Sequence, residues 1–181
     1  MEKKEEQIKT CRFESPVGEM IAGADDRGIR FLEFLAESPE GQLHRLECKM
    51  NASLVPGENI HLGSLIQQMR EYFESGRRTF DIPLVFFGTE FQKKVWNLLI
   101  EIPYGETRSY QFQAQTIGEE KAIRAVASAN GDNPISILIP CHRVIGKNGS
   151  LTGYAGGLWR KKFLLELEEQ NKSGASQGFL F

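Results

Sequence analysis

The second half of this 181-residue chain has apolar periodicity that favours a series of helices. Residues 89–92 have the T-x-x-Q form of a capping box, which typically begins a helix. The apolar residues that then recur on one helical face are Phe91, Val95, Leu98, Leu99 and Ile102. Residues 103–105 end this helix, and Ser109, a favourable N-cap, begins a shorter one that runs to Ile117.

A third helix is predicted from about Glu119 to Asn130, and it has two different faces. Lys121, Arg124 and Ser128 are spaced i, i+3 and i+7, so they share an outer face. The residues predicted to pack inward are Ala122, Ile123 and Val126.

The segment after this helix is predicted to contain a strand and a turn. Turn-forming residues fill 130–134, and the apolar run from Ile135 to Ile139 is predicted to be a strand. Pro140 ends it because proline cannot donate to a β ladder. A hairpin-type turn at 146–149 and a last helix from about Trp159 to Glu169 follow. This order is typical of a winged helix-turn-helix with the third helix in the recognition position, although a generic small α/β unit has a similar order.

The first half is predicted to be an α/β scaffold. Strands are expected at 11–13, 19–24 and 29–35, separated by turn signals. The residues of a following helix face are Leu62, Leu65, Ile66, Met69 and Phe73. Residues 80–87 contain Pro83 and are interpreted as an edge segment or an interdomain connection. We expect no catalytic residue in this half.

These patterns divide the chain into three parts. The scaffold domain is expected to span residues 1–87, and the helical domain residues 88–170. Residues 171–181 are expected to form a flexible tail, because 171–176 are polar and contain glycine.

The segment from Pro140 to Arg143 places a thiol beside an imidazole and a guanidinium. A thiolate is the reactive form of cysteine, and His142 and Arg143 are residue types that lower the pKa of a neighbouring thiol. The run alone is equally compatible with an inert, half-buried Cys141.

Composition excludes several other classes of protein. The three cysteines, Cys11, Cys48 and Cys141, are too widely spaced for a disulfide framework or a CxxC metal site. His44, Cys48 and His61 do not suffice for a zinc site, so no metal or other cofactor is expected. No apolar run approaches the ~20 residues that cross a bilayer. Since residues 1–9 lack the apolar region of a secretory signal, we expect a cytoplasmic protein without a membrane partner.

Charge is distributed unevenly along the chain. The net charge is −2, but residues 121–165 contain seven basic residues and one acidic residue, Asp132. A local basic patch of this kind is typical of a surface that binds phosphate groups.

Together these residues resemble the C-terminal domain of the O6-alkylguanine-DNA alkyltransferases, also called methylated-DNA–protein-cysteine methyltransferases. The matching segments, in order, are residues 104–107, 109–110, 124–126, 133–134, 139–146, 154–157, 164–165 and 168. The first half resembles the amino domain of the family more weakly, through residues 15–18 and 28–29. The resemblance implies an α+β protein, with a ribonuclease H-like scaffold domain and a winged helix-turn-helix alkyltransferase domain.

The resemblance also implies a single-use repair reaction, in which an alkyl group passes irreversibly from O6-alkylguanine, or O4-alkylthymine, to Cys141. His142 is similar to the base that removes the thiol proton through a water molecule, and Glu168 to the carboxylate that orients it. Tyr110 is similar to the phenol that hydrogen-bonds N3 of the flipped base.

The implied partner is double-stranded DNA, bound through its minor groove by a monomer. Arg124 resembles the residue that fills the space left by the flipped base. The other residues expected at the DNA are Ser109, Lys121, Ala125 and Ala129. The residues expected around the substrate base are Asn133, Val144, Tyr154 and Ala155.

Two features depart from the family, and two alternatives remain open. Ala155 stands where some members have serine, and Asp132 stands where members often have glycine or a basic residue. A lesion-binding protein without catalysis usually lacks the cysteine, and a cysteine hydrolase would turn over repeatedly. The C-terminal residues Gln177, Leu180 and Phe181 resemble peptides that dock on the bacterial sliding clamp, although a tail packed on its own domain explains them equally well.

Overall fold

The computed structural model describes residues 6–172, and its first half is a mixed sheet between two helices. The four strands are β1 (Gln7–Phe13), β2 (Met20–Ala24), β3 (Ile29–Phe34) and β4 (Ser53–Pro56). Strands β1, β2 and β3 are antiparallel neighbours, whereas β4 pairs in parallel with the other edge of β1. The three strands and the turns between them occur where the sequence predicted them, although β1 begins at Gln7 rather than at Cys11.

The two faces of this sheet are covered by different helices, α1 (Pro39–Met50) and α2 (Ile60–Glu74). Because side chains alternate along a strand, Ile21 and Phe31 face α1, where they pack with Leu46. Met20, Ala22 and Leu32 belong to the larger core with α2, whose buried residues are Leu62, Leu65, Gln68, Met69, Tyr72 and Phe73. Helix α1 was not predicted as an element, although a proline at its first turn is a typical start signal.

The free edge of β3 connects the two halves of the protein. Ile29 donates to the Pro83 carbonyl at 2.9 Å, and Val85 donates back to Ile29 at 2.8 Å. Further along the same edge, Leu32 donates to Pro134 and accepts from Ser136. Residues 83–85 therefore form the predicted edge segment. The chain leading to Cys141 is hydrogen-bonded to the N-terminal sheet.

Up to Lys172, where the described residues end, the second half contains four α-helices: α3 (Glu90–Ile100), α4 (Tyr110–Thr116), α5 (Ile123–Gly131) and α6 (Leu158–Lys172). Thr89 and Gln92 form the predicted capping box, and Ser109 caps α4 by accepting from Phe112 at 3.0 Å. A 3₁₀ turn, Glu120–Ala122, leads into α5. Two short strands, β5 (Arg108–Ser109) and β6 (Val144–Ile145), pair in parallel and tie α4 to the segment after Cys141.

The predicted strand from Ile135 to Ile139 is wrong. Only isolated bridges occur there, and Ile137 has a left-handed backbone with φ of 72°. The segment folds back on itself, because Ile139 donates to Ile135 and Leu138 donates to Ser136. The three isoleucines of this segment are buried. A short apolar run indicates burial, but it does not distinguish a strand from another buried conformation.

Two other predictions need correction. Ile123 does not pack inward but is 39% exposed, since α5 begins at this residue after the 3₁₀ turn. The predicted tail begins too early, because α6 continues through Lys172. The remaining tail, including the residues expected at a sliding clamp, lies outside the described residues. No helix within residues 6–172 is long and apolar enough to span a membrane.

A prediction for the helical domain concerns Trp96, whose indole N–H donates to the Ala129 carbonyl at 2.8 Å and joins α3 to α5. Replacing Trp96 by Phe removes the hydrogen bond to this carbonyl and creates a small cavity beside it. We therefore expect a loss of about 2–4 kcal/mol in the free energy of unfolding. The measurement is urea denaturation followed by circular dichroism. Trp159→Phe is the control, because Trp159 is 56% exposed, and its loss should stay below about 1 kcal/mol. Equal losses in both variants would contradict the assigned role of Trp96.

Candidate active site

Cys141 lies at the start of a short 3₁₀ turn, Cys141–Arg143, and is 8% exposed. The Asn133 side chain holds this turn, since its Nδ2 donates to the Ile139 carbonyl at 2.7 Å and to Cys141 Sγ at 3.1 Å. Its Oδ1 accepts from Ile135 N at 3.0 Å. Asn133 follows the end of α5, so one amide fixes the thiol relative to the predicted recognition helix.

Glu168 is the centre of a buried hydrogen-bond network. Its Oε1 accepts from Tyr72 Oη at 2.7 Å, from His142 Nε2 at 2.8 Å and from Arg143 Nη2 at 3.0 Å. Its Oε2 accepts from Arg143 Nε at 2.9 Å and from Gly105 N at 3.0 Å. Burial acts to raise the pKa of this carboxyl, but hydrogen bonds from His142 and Arg143 and the charge of Arg143 outweigh burial and hold the pKa well below its ordinary value. Glu168 is therefore a charged group throughout the neutral range.

His142 is fully buried and is neutral at pH 7. Burial lowers the pKa of its imidazole, and this effect outweighs the opposing attraction of Glu168. Since Glu168 can only accept, we assign the ring proton to Nε2, which leaves Nδ1 as an acceptor. Nδ1 has no hydrogen-bond partner among the described residues. This tautomer can accept a proton from a neighbouring group.

The thiol of Cys141 is protonated at neutral pH in the unbound protein. Burial raises its pKa, and only partial compensation comes from the Asn133 hydrogen bond and the positive charge of Lys161. The His142 and Arg143 side chains are not what lowers this pKa, because both are bound to Glu168. His142 lowers it only through a backbone hydrogen bond. Arg143 also donates to the Ile102 carbonyl at 2.6 Å. The site therefore requires a base to generate the thiolate.

Lys161 is a site residue that sequence reasoning missed. Its Nζ is buried and donates to the carbonyls of Thr152, at 2.7 Å, and Gly153, at 3.3 Å. Burial lowers the pKa of this ammonium to about 8. The residue stands in an Arg-Lys-Lys run that is typical of a solvated surface, but it is spaced seven residues before Glu168, on the buried face of α6.

The hydroxyl of Tyr110, the first residue of α4, also donates to the carbonyls of Thr152, at 2.9 Å, and Gly153, at 3.1 Å. The loop at 152–153 is thus held by both a phenol and an ammonium. Tyr154 packs against Phe34 with ring centroids 6.1 Å apart, and its hydroxyl is buried without a partner among the described residues. Val144 is buried in β6, whereas Ala155 is exposed.

A cleft lies between the N-terminal domain and two segments of the second half, residues 131–136 and residues 155–160. Asn133, Ser136, Ala155 and Gly156 line one wall. The N-terminal domain supplies the other wall through β3 and α1, with Glu33, Phe34, Leu35, Ala36, Gln42, Arg45 and Lys49. Of the residues predicted around the substrate base, Asn133 and Ala155 line this cleft, whereas Val144 and Tyr154 do not, and neither does Cys141.

The residues expected to contact DNA do not all lie on one surface. Lys121, Arg124 and Ala125 are exposed around the start of α5, and Ser109 is half-buried as the cap of α4. Ala129 is wrong as a DNA contact, because it is 2% exposed and packs toward α3. Asp132 is exposed at the end of α5, and its carboxylate accepts from Gln92 Nε2 at 3.1 Å.

Tyr72 is the second missed residue, and it corrects the view that the first half contributes nothing to the site. A signal existed in the sequence, since Tyr72 lies three residues after Met69 on the buried face of α2. A buried tyrosine hydroxyl requires a hydrogen-bond partner, and that partner is the Glu168 carboxylate of the other domain.

Comparison with known proteins agrees with this architecture. Residues 9–86 match the family model described as 6-O-methylguanine DNA methyltransferase, ribonuclease-like domain. Residues 90–170 match the model described as 6-O-methylguanine DNA methyltransferase, DNA binding domain. The chain belongs to the methylated-DNA–protein-cysteine methyltransferase family. The family resemblance inferred from the sequence is confirmed, as is the α+β class with a ribonuclease-like first domain.

Relatives with this family name cover nearly the whole chain. The methylated-DNA–protein-cysteine methyltransferase of Methanosarcina acetivorans is 46% identical, over 86% of this chain and 95% of its own length. The constitutive enzyme of Bacillus subtilis is 46% identical, over 86% of this chain and 92% of its own length. The crystal structure of Mycobacterium tuberculosis OGT in complex with DNA superposes with a TM-score of 0.76 at 39% identity, covering 91% of this chain and 94% of that one.

The hydrogen-bond network around Glu168 predicts that Glu168→Gln strongly destabilises the folded protein. The substitution leaves the buried Arg143 guanidinium without its carboxylate, so we expect a loss of about 3–5 kcal/mol in the free energy of unfolding at pH 7. Urea denaturation measures it. Glu166→Gln is the matched control on the same helix, because Glu166 is exposed and 3.7 Å from Lys162, and its loss should stay below about 1 kcal/mol.

The contribution of the Glu168–Arg143 ion pair to the free energy of unfolding is expected to depend on pH. A depressed carboxyl pKa stabilises the fold above the ordinary pKa of about 4.3, and this stabilisation is lost as the pH falls below that value. The difference between the unmodified protein and Glu168→Gln should therefore shrink as the pH falls from 5 to 3. A constant difference would contradict an ionised Glu168.

Proposed function

We propose that this protein repairs DNA by transferring an alkyl group from O6 of guanine, or from O4 of thymine, to Cys141, once per molecule. The observation that carries the proposal is the buried Cys141 thiol, which is held by Asn133 and is followed in the chain by a neutral imidazole bound to Glu168. Membership of the methylated-DNA–protein-cysteine methyltransferase family supports it.

The proposed reaction begins with proton transfer. His142 Nδ1 accepts the thiol proton through a water molecule, and the resulting imidazolium is stabilised by the Glu168 carboxylate. The Cys141 thiolate then attacks the alkyl carbon. The S–C bond forms as the C–O6 bond breaks, and the electron pair of the broken bond remains on the guanine. The thioether is not a leaving group, so the protein does not turn over.

Tyr110 is proposed to hydrogen-bond N3 of the guanine while that ring gains negative charge. Its hydroxyl donates to the Thr152 and Gly153 carbonyls in the unbound protein, so it must exchange these acceptors for the base. Lys161 binds the same two carbonyls and can hold the loop while Tyr110 turns.

The proposed DNA surface is the exposed start of α5. Arg124 would fill the stack after the base is flipped, and Lys121 would contact phosphate. Ala125 adds little bulk and would permit close approach to the minor groove, while Ser109 orients α4. The similar Mycobacterium tuberculosis structure in complex with DNA supports DNA as the partner.

Three parts of the proposal rest on the sequence. They are the monomeric state, the cytoplasmic location and docking of Gln177, Leu180 and Phe181 on a sliding clamp.

Labelled DNA tests the proposed chemistry. Duplex DNA carrying O6-[methyl-³H]methylguanine should transfer its label to the protein until one methyl group is bound per molecule. Cys141→Ala should abolish transfer, and the Cys11→Ala and Cys48→Ala controls should retain it, because those thiols lie in the first half. Binding without label transfer would indicate a lesion-binding protein, and release of label over many cycles would indicate a hydrolase.

Arg124→Ala tests the proposed base flipping. The variant loses a contact worth about 1–3 kcal/mol, so transfer from duplex DNA should slow by roughly 5–150-fold. Transfer from a single-stranded oligonucleotide should change little, because that substrate has no stack to fill. Lys162→Ala removes a basic residue from the exposed face of α6 and serves as the control. Equal slowing on both substrates would place Arg124 outside the flipping step.

A further inference from the structure

We propose that Tyr72 of the N-terminal domain is a positioning residue for alkyl transfer, which orients the Glu168 carboxylate and limits how strongly that carboxylate holds His142. The inference rests on the proposed function, because it assigns a role within the same reaction. Tyr72 does not touch the thiol or the base, and it acts through Glu168 and His142.

The geometry places Tyr72 and His142 on one oxygen atom. Glu168 Oε1 accepts from Tyr72 Oη at 2.7 Å and from His142 Nε2 at 2.8 Å. Arg143 Nη2 is the third donor to this oxygen, at 3.0 Å. All three donors are buried, so no solvent exchange weakens the competition between them.

Competition between these donors has a chemical consequence. A hydroxyl that donates to a carboxylate oxygen withdraws electron density from it, and such charge-assisted bonds are strong in a buried site. Tyr72 therefore reduces the attraction of Oε1 for a proton on His142. A less strongly held imidazole remains neutral to lower pH, and the neutral imidazole is the form that accepts the thiol proton.

The aromatic surroundings of Tyr72 keep the hydroxyl in place. Its ring contacts Phe73, Phe80 and Tyr104, with centroids 5.1, 5.6 and 6.0 Å away. Burial, followed by the charge of Glu168, raises the pKa of Tyr72 well above its ordinary value. The phenol is consequently a donor over the whole pH range in which the reaction can be measured.

The ionisable groups around the Glu168–His142 pair, other than Tyr72 and Tyr104 themselves, are the same in both variants of the test. The ionisable groups come from four elements: Tyr72 on α2, Tyr104 after α3, Cys141 and Arg143 in the 3₁₀ turn, and Lys161 and Glu168 on α6. Arg143 and Lys161 lower the pKa of His142 by their positive charge. A substitution at Tyr72 leaves both cations unchanged.

The test compares Tyr72→Phe with Tyr104→Phe. Each variant keeps its ring and loses one hydroxyl from the same aromatic cluster, but the Tyr104 hydroxyl accepts from Asn171 and does not bind Glu168. The single-turnover rate of label transfer from O6-methylguanine duplex DNA is measured from pH 5 to pH 9. Circular dichroism confirms that both variants are folded at each pH.

We expect the acidic limb of the rate profile to move upward by about 0.5–1 pH unit in Tyr72→Phe, because Glu168 then holds the imidazolium more strongly. On the acidic limb itself this shift corresponds to a rate reduction of roughly 3–10-fold at a given pH, with little change on the plateau at higher pH. Tyr104→Phe should leave the limb in place.

The outcomes separate this inference from the proposed function. Normal transfer by the unmodified protein, combined with an unshifted acidic limb in Tyr72→Phe, would overturn the inference alone and leave Tyr72 a structural residue. A shift of the same size in Tyr104→Phe would also overturn it. Absence of transfer by the unmodified protein would overturn the proposed function, and the inference with it.

Discussion

The buried charge of Glu168 is the constraint on which the rest of the site depends. A carboxylate removed from water costs several kcal/mol unless its oxygens are fully hydrogen-bonded. Its donors come from α2, from the loop after α3 and from the 3₁₀ turn at Cys141. These elements must all be in place before the charge is satisfied. The requirement that stabilises the interface between the domains therefore also fixes the imidazole of His142, the residue that follows Cys141.

The edge of β3 provides the framework for this arrangement. Residues 83–85 and residues 134–136 hydrogen-bond to it in succession, so both domains share one sheet edge. Gly28 permits the first contact, since its φ is 149° and a Cβ there would collide with the Pro83 carbonyl oxygen. The second contact fixes the backbone that leads through Asn133 and the buried isoleucines to Cys141. A domain interpreted from its sequence as a scaffold thus supplies part of the catalytic environment.

Much of the fold could be predicted because its signals are local. The capping box before α3, the Ser109 cap and the alternating strands β1 to β3 depend on neighbours within a few residues. Predictions were wrong where burial depends on distant parts of the chain. The run 135–139 is buried and hydrogen-bonded to the edge of β3, and Ala129 is buried in the core that includes Trp96 of α3.

The sequence by itself determined the family, the fold class and the residue types of the site, because Cys141, His142 and Arg143 are adjacent and the surrounding segments occur in a specific order. Only the tertiary structure decided which groups act on which. It turned His142 and Arg143 toward Glu168, brought Lys161 into the electrostatic environment of the thiol and placed Tyr72 on the carboxylate. These relations depend on distance and burial between residues up to 96 positions apart, and local sequence patterns do not encode such distances.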